Sequence, residues 1–200
     1  MNYYWGQPDT SVSFCENKYN SYFWIAEYYN TISSLFYVMV GSILLYTRLK
    51  FLGQLLCCVG IGAMLLHATL RHWSQMGDEM SMLALSFYSL KELRPRTNRY
   101  IIYPLLINYC LFNRFFICFF LTFTGLQLLI FKYATKKINR TNKKWIYLYT
   151  LSFLCGFVCW SLDQLCKVRF TEILEPYQLH AWWHFFTAMA IGFGYMALLN

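Results

Sequence analysis

Charge is what this chain lacks. Only 13% of its 200 residues are Asp, Glu, Lys or Arg, against about 25% in an ordinary soluble domain. That shortage excludes a conventional water-soluble fold. Acids are the scarcer sign, nine against seventeen Lys and Arg. No internal repeat and no low-complexity linker is visible, so the chain reads as one domain over residues 1–200 with no soluble module. The start, MNYYWGQPDT, lacks a basic stretch followed by an apolar core, so no cleavable signal peptide is expected.

What is present is apolar sequence, 58% of the chain, and it comes in long blocks rather than in an amphipathic period. Seven blocks can be drawn: 25–47, 51–70, 79–90, 100–112, 115–132, 145–165 and 179–199. All are expected to be helices, because a chain crossing hydrocarbon must satisfy its backbone hydrogen bonds internally. The expected fold is therefore an all-α, seven-transmembrane-helix bundle. The third and fourth blocks are short for the roughly 20 residues a span needs.

A net charge of +8 raises the question of nucleic acid, but its placement answers otherwise. Loops after the first, third and fifth blocks hold Arg48, Lys50, Lys91, Arg94, Arg96, Arg99, Lys132, Lys136, Lys137, Arg140, Lys143 and Lys144, with Glu92 their only acid. The opposite side holds Lys18, Arg71, Arg114, Lys167 and Arg169 with the other eight acids. Lys and Arg accumulate in cytoplasmic loops, which puts the N-terminus in the lumen and the C-terminus in the cytosol. A basic patch for phosphoinositides is the rival reading of the same charges. The sequon Asn139-Arg140-Thr141 falls on the cytosolic side, where it is expected to go unused.

Eight cysteines form no metal pattern. Cys57, Cys58, Cys110, Cys118, Cys155 and Cys159 lie in spans as small packing residues. Cys15 and Cys166 fall at the luminal edge, where disulfides form, and are expected to pair.

Polar chemistry gathers at that same edge. His180 and His184 share a helix face at i, i+4 and can reach one ion. No glutamate stands between them, so this is not the soluble zinc-protease motif. His67, near the luminal end of the second block, comes to the same depth. Three imidazoles suit a zinc ion that keeps a fourth position open. His72 points off that face and is expected at the interface. Asp78-Glu79 opens the third block; Glu79 fits a helix-start acid, while Asp78 is placed to act as base or as partner of a ligand. Trp160 and Asp163 are expected to make a structural polar contact. Glu27, inside an apolar stretch, needs a cation, and with Glu16 could hold calcium.

These residues carry a resemblance. Tyr4-Trp5-Gly6, Cys15-Glu16, Ile25-Ala26-Glu27-Tyr28-Tyr29-Asn30-Thr31, Leu66-His67-Ala68-Thr69-Leu70, Asp78-Glu79, Cys159-Trp160 with Asp163, and His180-Ala181-Trp182-Trp183-His184 resemble, in order, the alkaline ceramidases. The resemblance implies seven helices, zinc on His67, His180 and His184, a nearby calcium site, and residence in the endoplasmic reticulum or Golgi. It implies hydrolysis of the ceramide amide to sphingosine and fatty acid, with His67 and Asp78 as catalytic residues and a membrane lipid as the partner. Two departures stand out. Ala63 replaces the family's serine four residues before the first histidine. In the calcium loop Ser13 replaces an aspartate and Lys18 an asparagine, while Glu16 and Glu27 persist and Phe14, in place of a tryptophan, can still offer its carbonyl. Lys18 brings its own charge, so activity is expected to depend on calcium less than the family pattern implies.

Three rival readings accompany this one. A catalytically weak relative that binds ceramide or sphingosine is favoured by Ala63 and the altered loop. A seven-helix zinc-containing receptor shares the histidine triad. A haem protein would use His180 and His184 as axial ligands.

Overall fold

In a computed structural model, which describes residues 3–137 and 143–199, every regular element is helical. The helices are α1 (Tyr28–Ser33), α2 (Leu35–Leu44), α3 (Lys50–Thr69), α4 (His72–Leu93), α5 (Ile102–Phe112), α6 (Phe116–Lys137), α7 (Lys143–Leu165), α8 (Thr171–Leu174) and α9 (Leu179–Leu199). Short 3-10 turns precede α5 and α9, and a π-helical segment, Cys166–Phe170, links α7 to α8. Four helices, α3, α6, α7 and α9, are long and apolar enough to cross a membrane. The sequon at 139–141 lies outside the described residues.

Two of the blocks differ from the sequence expectation, and a third agrees with it. The first block divides at Ser34 into α1 and α2. The third block begins seven residues earlier than expected, at His72, so Asp78 and Glu79 sit inside α4 rather than at its start. That start is held from outside, because the His72 N–H, one of the orphan donors of a helix N-terminus, donates to Asp9 Oδ1 at 2.7 Å. The fourth block is short in the structure as well: eleven residues of α-helix rise about 16 Å, and α5 gains length only from the preceding 3-10 turn.

The chain alternates direction through the bundle. At one end Arg48 bonds Glu92 and the Leu198 carbonyl, joining the ends of α2, α4 and α9. At the other, a disulfide joins Cys15 to Cys166, with the Cα atoms 5.9 Å apart. Between them lies an apolar core including Tyr37, Leu52, Leu56, Leu85, Ala188 and Tyr195.

Glycine decides how closely α3 approaches its neighbours. A Cβ on Gly53 would stand 2.8 Å from the Gly41 carbonyl oxygen, so α2 and α3 meet backbone to backbone. A Cβ on Gly62 would stand 2.8 Å from the Cα of Asp78, which fixes α4 against α3 beside His67. Small residues at such contacts are the usual means of packing helices where lipid removes the hydrophobic drive between them. The α3–α4 corner is tight: Leu70 takes a left-handed conformation, φ 51°, and donates to the Leu66 carbonyl.

Candidate metal centre

His67 comes from the last turn of α3, and His180 and His184 from the first two turns of α9. All three are buried, and one nitrogen from each lies within 4.8 Å of the others. Ring centroids are 4.7 to 5.0 Å apart. Among the described residues this is the histidine, cysteine and acid cluster with the spacing to hold one metal ion.

The second ring nitrogens strengthen that assignment. His67 Nδ1 lies 2.6 Å from Glu27 Oε2, and His184 Nδ1 lies 2.8 Å from Ser33 Oγ. Both bonds engage Nδ1 and leave Nε2 as the nitrogen each ring can offer an ion. A carboxylate or hydroxyl behind a histidine in this way fixes the ring and its tautomer, the arrangement that accompanies metal-ligating imidazoles. Phe14 covers the cluster, its ring centroid 4.0 Å from that of His180 and 4.8 Å from that of His67.

A family model described as Ceramidase matches residues 6–199. The chain belongs to the ceramidase family. It is 29% identical to an alkaline ceramidase of Arabidopsis thaliana, over 92% of this chain and 80% of the relative. It is 26% identical to alkaline ceramidase 3 of Mus musculus, over 93% and 81%. Alkaline ceramidase YPC1 of Saccharomyces cerevisiae matches at 23% over 97% and 77%. The likeness runs through the whole bundle in each case.

In this ceramidase-family chain the three histidines stand at one end of an apolar cavity of about 380 Å³. Asp78 and Glu79 line it beside them, and Ala63 faces it one turn before His67. Asp78 is buried, and its Oδ1 has no hydrogen-bond partner among the described residues. A polar atom left so is costly unless something else engages it, and a substrate or water in the cavity would do so. Glu79 is fully engaged instead: Gln75 Nε2 donates to one oxygen at 2.8 Å and the Tyr109 hydroxyl to the other at 2.7 Å. It ties α5 to α4 and does not act as a helix-start acid. His72, off the face of the triad, is buried with its Nε2 2.7 Å from Asn113 Oδ1.

Asp163 takes the structural role expected of it, accepting the Cys15 N–H at 3.3 Å and holding the loop that carries Phe14. Trp160 does something different: it stacks on Phe120, centroids 5.7 Å apart, as part of the cavity wall.

The calcium-loop positions do not fit a calcium ion. The Lys18 ammonium donates to the Phe14 carbonyl and the Glu16 carbonyl, each at 2.7 Å, and to Glu27 Oε1. Three of the oxygens that a hard ion would need are thereby taken by the ammonium. Glu16 turns its carboxylate the other way, where it accepts the N–H groups of Tyr29 and Asn30 at 2.8 and 3.0 Å and caps α1. Burial pushes the Glu16 carboxyl up to about 7, with those two N–H bonds opposing the shift. The sequence signals left two partners unseen. Ser33 behind His184 and Glu27 behind His67 stand 151 and 40 residues from the rings they orient, distances at which no periodicity speaks.

Proposed function

We propose that this chain is a zinc-dependent hydrolase that cleaves the ceramide amide to sphingosine and a free fatty acid. The observation that carries the reading is the juxtaposition of three buried histidines, two of them held by partners behind the ring, a buried carboxylate with one unpartnered oxygen and an apolar cavity. His67, His180 and His184 would hold the zinc, which supplies Lewis acidity, polarising a carbonyl and lowering the pKa of water toward ~7. Glu27 and Ser33 keep the rings in register. Asp78 Oδ1 takes a proton from the attacking water and returns it to the departing amine nitrogen as the C–N bond breaks. Phe119, Phe123, Phe153 and Trp183 give the cavity walls on which two hydrocarbon chains can lie.

The seven long and short spanning helices, α1 with α2, α3, α4, α5, α6, α7 and α9, would place the site near the luminal face, with the C-terminus cytosolic. Endoplasmic reticulum or Golgi membrane is the proposed location, where the substrate already resides in lipid. A second reading, a weakly catalytic ceramide or sphingosine binder, is favoured by Ala63 facing the cavity without a hydroxyl. One sample of detergent-purified protein tests both, by metal analysis beside product formation from labelled ceramide. About one zinc per chain and a turnover that falls roughly 10²–10⁴-fold in Asp78→Asn is the expected result. Zinc with bound ceramide but no product would overturn hydrolysis in favour of binding.

A further inference from the structure

Glu27 has no exposed surface, and its two oxygens are shared between Lys18 on one side and His67 and Asn30 on the other. A buried carboxylate of this kind requires a compensating cation. Lys18 belongs to the same loop as the carbonyls it binds, and all three of its ammonium donors have an oxygen: Phe14, Glu16 and Glu27. Two carbonyls and a carboxylate around one point form the oxygen cage that a hard divalent ion would otherwise take. Its frame is fixed independently of the lysine. Cys15 is held to Cys166 and Asp163, and the Tyr19 N–H donates to the Ala26 carbonyl at 2.7 Å.

We propose that the Lys18 ammonium is the resident cation of this cage, holding Glu27 and, through it, His67, so that the site needs no calcium. Lys18 is a positioning residue: it does not reach the cavity, and it acts through Glu27 on the imidazole that faces the cavity. The inference rests on the reading of His67 as a metal ligand. The family resemblance implies calcium in this loop; here the charge is covalently tethered instead. A tethered ammonium is present at unit occupancy whatever the free calcium concentration, so the metal centre is insulated from calcium levels.

The test compares the intact protein with Lys18→Met and Lys18→Asn, in calcium-depleted buffer and with calcium added, under a fixed free-zinc buffer. Zinc affinity by chelator competition and the thermal unfolding midpoint are read beside ceramide hydrolysis. The natural protein should give the same zinc affinity, midpoint and rate in both buffers. Lys18→Met should bind zinc about 10–100-fold more weakly, the loss expected when the partner behind a ligating histidine is disturbed. Lys18→Asn, which restores an oxygen ligand and vacates the cage, should recover zinc affinity when calcium is added and not when magnesium is. Calcium-dependent zinc affinity or stability in the natural protein would overturn the proposal. So would natural zinc affinity in a folded Lys18→Met protein. A natural protein that binds zinc but hydrolyses no ceramide would count against the assigned reaction while leaving the affinity comparison decisive for Lys18.

Discussion

Helices α3 and α7 are close relatives as sequences, with 20 and 23 residues and hydropathies of 1.8 and 1.5, yet half of one apolar window is buried and only 6% of the other. Hydropathy therefore says which segments enter lipid and nothing about which of them forms the core. The difference is carried by small residues. Gly53, Gly60 and Gly62 let α3 touch α2 and α4 at distances no side chain would permit. α7 has Gly156 alone, turned toward Thr187 and Trp183 of α9, and leaves Leu151, Val158 and Leu165 exposed. Chemistry follows the same division: α3 ends in His67, while α7 supplies aromatic wall.

The largest expected effect breaks the meeting of α3 with α9. His180→Ala should lose zinc and activity together, because an open tetrahedral site does not survive the loss of one of three ligands. Inductively coupled plasma analysis of purified protein checks it. Full zinc occupancy in both His180→Ala and His184→Ala would remove the metal centre from this end of the bundle.

A second change acts on packing alone. Gly62→Ala puts a Cβ against the Asp78 backbone, with 2.8 Å to Cα and 3.0 Å to N, where no flexible side chain can yield. Overpacking of this kind costs about 1–3 kcal/mol. The displaced carboxylate should also slow turnover while zinc content stays unchanged. Unaltered stability and rate would mean that α3 and α4 slide past each other freely, and the contrast with α7 would then not rest on glycine.

How much of this was legible beforehand follows the same line. Long apolar runs located the helices, and the three histidines declared themselves through depth and i, i+4 spacing. The limits of α4 were missed, since His72-Trp73-Ser74-Gln75 is too polar to read as a span; Asp9, distant in sequence, caps it. The orientation of the rings was also hidden, because Glu27 and Ser33 belong to α1 and its entry, an element contiguous with the site only after folding. Lys18 was visible as an added charge, but its two carbonyl partners depend on the loop conformation that the disulfide and Asp163 hold.

Position 63 sharpens the comparison from the other direction, asking what α3 lacks. Ala63 is buried and faces the cavity one turn from His67. Ala63→Ser should raise the single-turnover rate on saturating ceramide about tenfold, part of the ~10²–10³ that one oxyanion donor can supply, with zinc content unchanged. Equal rates in two active proteins would make position 63 a packing position only.

The smallest effect lies on the lipid-facing side, in α6, whose apolar window is 11% buried. Gly125 is exposed there, and a Cβ built on it meets nothing within 4 Å. Glycine in a helix interior costs about 1 kcal/mol relative to alanine, with no close approach here to justify it. Gly125→Ala should therefore raise the unfolding midpoint by about 2–4 °C and leave zinc content and turnover alone. The same substitution that damages α3 would then stabilise α6, in helices the hydropathy profile treats alike. A lower midpoint at position 125 would instead show that α6 meets another helix across this face, as a second copy of the chain could supply. Cross-linking of a cysteine placed there would identify that contact.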